Sequence, residues 1–235
     1  MAAKSLLTGL RGEARAFGFS EEKEREIITD RISYFITETA IKDVPQGAFA
    51  LARLGITDFF GVALAGSREG QSKIIIDYAQ KMGGVPQASI IGRDFKTSPY
   101  LAALVNGTIG HALDYEPFAA GPRQDRPALL APAILAMGES IGASGEDILA
   151  SYLIGYETVS CIAAPIIQSH YVQGWHSTAT FGTLGATAAI ARLLKLNVHQ
   201  VRMALGIAAS LAGGLRQNIG TMTKPLHAGK AAANG

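Results

Sequence analysis

The chain has 235 residues, of which 48% are hydrophobic and 17% charged, with a formal net charge of +2. That length allows one large domain or two small ones. The balanced charge, without any block of like sign, speaks against nucleic acid or an anionic membrane as partner. A lone cysteine, Cys161, rules out an internal disulfide framework and fits a reducing, cytoplasmic setting. It also rules out an iron–sulfur cluster, which takes several thiolates. The low share of charge suggests that a partner subunit, or sequence absent from this chain, covers much of the surface.

Residues 1–28 mix Lys, Arg and Glu and read as a solvated extension. Its acidic residues disfavour a transit peptide, and no signal peptide is evident. Helix is then expected nearly throughout, in a single domain over 29–235. Asp43 is placed to cap a helix from about Pro45 to Ala65, ended by Gly66-Ser67. Another follows at about 70–83. Residues 88–92 form the one short piece that reads as extended. Ser98-Pro99 opens a helix to about Leu113, with Glu116-Pro117 as its stop. Further helices are expected at about 128–141, 145–166, 178–194, 198–212 and 225–233. Small residues recur along them, among them Gly182, Gly185, Ala186 and Ala189, as close-packed central helices require. Between Thr158 and Ala191 no charged residue occurs. Pro165, Gln168, His170, Gly174 and His176 interrupt that stretch, so it reads as two helices buried in protein, with no membrane span.

Several motifs carry chemistry. Gly138-Glu139-Ser140-Ile141-Gly142 matches the spacing of a nucleophile elbow, but that motif needs a strand before the serine. The preceding residues look helical, and Ser144 looks like a helix cap, so a helix corner is the better reading. His111, Asp114 and Tyr115 would share one face if the helix from Pro99 ran on through them. They form either the rim of a pocket or a satisfied cluster at a helix end. A metal site is not expected, because His-x-x-Asp offers two ligands and no third is apparent. His176 lies before a helix that Ser177 is placed to cap. Arg216-Gln217-Asn218 suits an acidic ligand and an ordinary polar loop equally.

Residues 221–233 are the most telling. Pro225 favours the first position of a helix, and the residue before a proline is pushed out of the α region. Lys224 is therefore expected just outside that helix, with His227 in its first turn. A helix N-terminus carries partial positive charge and suits a carboxylate or phosphate. A lysine there can clamp an anion or donate a proton.

Taken together, residues 58–67, 106–115, 174–185 and 222–233 resemble the MmgE/PrpD family, over about 29–235 of this chain. The resemblance implies a large all-helical domain, an active site that works without metal or organic cofactor, a small carboxylate substrate and a homodimer. It also implies members about twice this long, whose smaller α/β lid adds to the pocket. Only the first portion is matched here, so either the chain is a fragment or a second polypeptide completes it, and the chain alone is expected to have little activity. Family activities are dehydration of 2-methylcitrate, decarboxylation of cis-aconitate and epimerisation of a dicarboxylate. By resemblance, Asp114 and Lys224 match active-site positions and are the catalytic candidates. His111, Tyr115, His176, Gln217 and His227 are the substrate-binding candidates. The decarboxylase branch has a threonine where this chain has Phe118, a histidine where it reads Gln124-Asp125-Arg126-Pro127-Ala128, and another near Ala164. These departures argue against decarboxylation of cis-aconitate and leave the dehydratase assignment open; the reading taken is a dehydratase-type lyase, with an epimerase or a non-catalytic dimerising scaffold as alternatives.

Overall fold

The computed structural model describes residues 28–115 and 126–235. Among them are ten α-helices and one minimal hairpin, so the all-α expectation holds. In chain order these are α1 (Ile28–Glu38), a 3₁₀ turn (Ile41–Asp43), α2 (Gln46–Gly66), α3 (Gly70–Met82), β1 (Ala88–Ser89) and β2 (Lys96–Thr97). They continue with α4 (Pro99–Gly110), α5 (Arg126–Ile141), α6 (Gly145–Ala163), α7 (Ile167–Val172), α8 (Ser177–Leu193) and α9 (Val198–Leu211). A second 3₁₀ turn (Arg216–Asn218) and α10 (Thr223–Asn234) complete the order. Of the expected N-terminal extension, residues 1–27 lie outside the described residues, and Ile28 already begins α1.

The centre is α8. Nearly every one of its residues is buried, and α5, α6, α9 and α10 all pack against it. Its glycines and alanines permit this, because they let neighbouring backbones come close on every side. Two of its threonines are satisfied within the helix itself: the Thr183 hydroxyl donates to the Ala179 carbonyl at 2.9 Å and that of Thr187 to the Thr183 carbonyl at 2.8 Å. This is how a buried hydroxyl avoids an unpaired donor. At the far end of α8, the Arg192 guanidinium donates to the carbonyls of Ile36, Thr37 and Thr39. It thus closes the open C-terminus of α1, where a cation is favoured.

Several boundaries differ from the sequence reading. Asp43 does not cap α2. It lies in the 3₁₀ turn, and Pro45 takes the cap position without a side-chain bond. The helix expected over 145–166 stops at Ala163, where Pro165, lacking an N–H, cannot continue the ladder. Two caps fall where expected: Ser144 accepts from the Asp147 amide at 3.1 Å and Ser98 accepts from that of Leu101. Ser140 sits inside α5 with its hydroxyl donating to the Met137 carbonyl at 2.8 Å, so the helix-corner reading of that motif holds. The extended piece is a hairpin of β1 and β2, antiparallel with Ala88 opposite Thr97.

The membrane check belongs on a different segment. Among the described residues, α2 is the one helix long and apolar enough to cross a bilayer, by length and composition only. In this fold Phe49, Ala52, Phe59 and Ala63 of α2 are buried on a helix that packs on α4, α5 and α6. Their successive spacings of 3, 7 and 4 residues mark one helical face. The opposite face shows Leu51, Leu54 and Leu64 to the outside.

Candidate active site

The site is built where α4 ends and α10 begins. These two helices make the most extensive pairing in the fold, and glycines allow it. A Cβ on Gly229 would lie 2.1 Å from the Leu104 carbonyl oxygen and 2.2 Å from the Thr108 hydroxyl. A Cβ on Gly107 would lie 2.7 Å from the Gly229 Cα. Both are closer than any side chain tolerates, so the backbones meet only because neither residue has one. This crossing sets the start of α10 beside the end of α4.

At that end, α4 stops at Gly110 and does not reach Leu113. His111 takes the C-terminal cap position, its amide donating to the Gly107 carbonyl at 3.2 Å. Asp114 then adopts a left-handed conformation with φ of 58°, which Asp tolerates better than most residues. His111, Asp114 and Tyr115 therefore do not share a helical face. The expected stop at Glu116-Pro117 lies outside the described residues, as do Phe118, Gln124 and Asp125.

The lysine is also placed differently. Helix α10 begins at Thr223, so Lys224 and Pro225 both lie within its first turn. The Lys224 amide donates to the Thr221 carbonyl at 3.1 Å, and the helix starts two residues earlier than expected. Pro225 is tolerated there because the first four amides of a helix lack intrahelical partners in any case. The Lys224 ammonium lies 2.5 Å from a carboxylate oxygen of Asp114. Partial burial pushes the Asp114 carboxyl up, but the hydrogen bond and charge of Lys224, aided by His111 and His176, outweigh it and hold it below the ordinary carboxylate value. Asp114 is ionised at neutral pH.

A second helix start joins this one. His176 is the cap residue of α8 and Ser177 its first helical residue, so Ser177 is not the cap. The His176 amide donates to the Gly214 carbonyl at 2.9 Å, and the Arg216 amide to that of Gly174 at 2.8 Å. These bonds zip the loop before α8 to the loop before α10, with Trp175 bridged to Leu215. Across this seam Nδ1 of His176 lies 2.9 Å from Nδ1 of His227. His227 is three residues beyond Lys224 on the same helix, so the starts of α8 and α10 converge there. Burial, followed by the neighbouring His227, His111 and Lys224, pushes the His176 imidazole down to about 3, against a small opposing pull from Asp114. Burial and His111 lower His227 as well. Both rings are neutral at pH 7. The buried Ser177 hydroxyl has no hydrogen-bond partner among the described residues.

The structure thus brings together Asp114, Lys224, His176 and His227, with buried His111 close enough to act on the charge of three of them. Tyr115 and Gln217 lie at the periphery, both exposed. Ala164, where one histidine was sought, is exposed at the end of α6. Among the described residues no group of three or more His, Cys, Asp or Glu is placed to hold a metal. Two cavities of about 430 Å³ lie elsewhere, one beside Arg192 and Lys195, the other between Asn106 and Glu139. The direct contact of His176 with His227 has no signal in the sequence, since 51 residues separate them. Gly214 was also missed: a Cβ there would meet Ala179 at 2.4 Å and the His227 ring at 3.4 Å.

Comparison with known proteins identifies the family. Residues 30–235 match the model of the MmgE/PrpD N-terminal domain. The chain is 28% identical over 214 residues to cis-aconitate decarboxylase of Mus musculus, covering 88% of this chain and 44% of that protein. It is 30% identical to the cis-aconitate decarboxylase-like protein oryM of Aspergillus oryzae, over 80% of this chain and 41% of the relative. Human cis-aconitate decarboxylase is likewise 30% identical, over 77% and 38%. The chain therefore spans less than half the length of these relatives. With the family model matching over almost all of its described length, the chain belongs to the MmgE/PrpD family.

Proposed function

We propose that this chain is the helical part of a lyase acting on a small tricarboxylic acid. The observation that carries this reading is the convergence of two helix N-termini on one lysine. Each helix start contributes partial positive charge, and Lys224 adds a full charge held in place by Asp114. A polycarboxylate fits such a surface: one carboxylate on the Lys224 ammonium at the start of α10, another on the start of α8, where the Ser177 hydroxyl has a hydrogen bond to give. Removal of a proton, or of carbon dioxide, beside a carboxylate places negative charge on that carboxylate's oxygens. A fixed cation in a partly dry site stabilises that charge. Asp114, ionised, orients the ammonium and can accept a proton from it. We assign no cofactor to this step.

Within this class the finer reading is loss of water from a 2-methylcitrate-like acid. It rests on Phe118, on residues 124–128 and on Ala164, where the decarboxylase pattern of the family is not met. The names of the relatives favour a second reading, loss of carbon dioxide from cis-aconitate. We further propose a cytoplasmic homodimer. The deciding experiment offers the protein 2-methylcitrate, citrate, cis-aconitate and acetate, and follows binding together with the release of water or CO₂. Binding of the tricarboxylates but not acetate, lost in Lys224→Ala, supports the class. Carbon dioxide release from cis-aconitate would replace the finer reading by the second. Equal binding of all four acids, unchanged by Lys224→Ala, would reject both.

A further inference from the structure

Two neutral imidazoles joined through the same ring atom must be in different tautomers, because one nitrogen has to donate and the other accept. The two Nδ1 atoms of His176 and His227 stand 2.9 Å apart. One ring therefore holds its hydrogen on Nδ1 and leaves Nε2 bare, while the other holds its hydrogen on Nε2. Two rings that both carried Nδ1–H would face each other as donors, so the contact exists with a single hydrogen between them.

We propose that His176 and His227 form a one-hydrogen latch that joins the start of α8 to the start of α10 and so positions Lys224 against Asp114. Both partners are held from behind. The His176 amide is bonded to the Gly214 carbonyl, and Gly214, which has no room for a side chain, lies against the His227 ring. Since His227 follows Lys224 by three residues, nearly one helical turn, fixing its ring fixes the rotation of the turn that presents the ammonium. The groups that act on the latch are His111 and Asp114 from the end of α4 and Lys224 from α10. His170 is turned instead to Thr180, Trp175 and Phe181, and Arg216 to Tyr171. Burial among these groups keeps the pair neutral, so it locks the geometry without adding charge beside Lys224. The functional meaning of the latch rests on Lys224 being the carboxylate clamp, whereas the latch itself can be tested apart from that reading.

The test uses the 235-residue protein labelled with ¹⁵N-histidine, with ring nitrogens read by long-range ¹H–¹⁵N NMR and assigned through His176→Asn and His227→Asn. At pH 7 one of the two rings is expected in the Nδ1–H tautomer and the other in the Nε2–H tautomer, with His176 taking up no proton down to pH 5. Both rings in the Nε2–H form, or both titrating like free imidazole, would overturn the proposal. Citrate titration supplies the positioning readout. His227→Leu, which removes the bond, is expected to weaken binding about tenfold. His227→Asn, whose amide can still reach His176, is expected to stay within about threefold of the unaltered protein. Equal affinity in His227→Leu and the unaltered protein would overturn the positioning role. If the unaltered protein fails to bind citrate, the carboxylate reading falls, and the tautomers still decide whether the latch exists.

Discussion

Helices α10 and α2 use their apolar residues in opposite ways. The sequence of α10 contains two lysines, a histidine and an asparagine, yet Pro225, Ala228, Gly229, Ala231 and Ala232 are buried. The far more apolar α2 shows Leu51, Leu54 and Leu64 to the outside, each at least half exposed. Hydrophobicity alone would rank them the other way. Residue size and position decide the outcome: Gly229 and the alanines admit α10 to backbone contact with α4, and large side chains all round α2 allow only one face to pack. The candidate site sits on the helix held by close crossing, where displacement is most costly. A catalytic geometry benefits from such rigid support.

The sharpest way to break this contrast is to change the size of one side chain on each helix. Gly229→Ala drives a Cβ into the Leu104 carbonyl, and such overpacking costs about 3 kcal/mol, more than the gain of roughly 1 kcal/mol from better helix propensity. Leu54→Ala, on the exposed face of α2, should change stability by less than about 0.5 kcal/mol. Urea unfolding of both variants checks the pair, and equal losses would dissolve the distinction.

Acid provides the next effect. His176 is held neutral in the fold, pushed down to about 3 from the ordinary 6.5, so below pH 6.5 the unfolded chain binds more protons than the folded one. Its contribution is complete above pH 6.5 and is lost as the pH falls toward about 3. Asp114, whose folded value is lowered, acts in the same direction at still lower pH. Denaturation midpoints should therefore fall steadily between pH 6.5 and 4, and His176→Asn should flatten that slope. A slope identical in the variant would mean that another group carries it.

The smallest effect on stability is expected at Lys224 itself. The side chain of Asp114 is 53% exposed, and a pair this open to solvent contributes at most about 1 kcal/mol. Lys224→Met should melt nearly as the unaltered protein does, even though it removes the cation of the proposed site. A large loss of stability would mark the ion pair as structural.

Much of this was legible in the sequence, and the failures share a cause. Ser98, Ser144 and the proline and glycine stops located most helices within a few residues, because those signals are local. Asp114 was drawn on a helical face because the apolar pattern of α4 gives no warning of a left-handed residue after Gly110. Lys224 was drawn outside α10 because proline favours the first helical position, whereas here the turn begins on the Thr221 carbonyl. The His176–His227 contact and the Gly107–Gly229 crossing join residues far apart in the chain, where spacing carries no information. The apolar span of α2 is masked in the sequence by Arg53 and Asp58, which interrupt it with charge.

The central claim is that two helix starts and Lys224 form a seat for a polycarboxylate. Calorimetric titration of citrate into the unaltered protein and into folded Lys224→Met tests it most directly. The account predicts measurable binding that weakens at least about tenfold in the variant, a loss of roughly 1.4 kcal/mol, with the fold intact. Binding of equal strength in both proteins would contradict it.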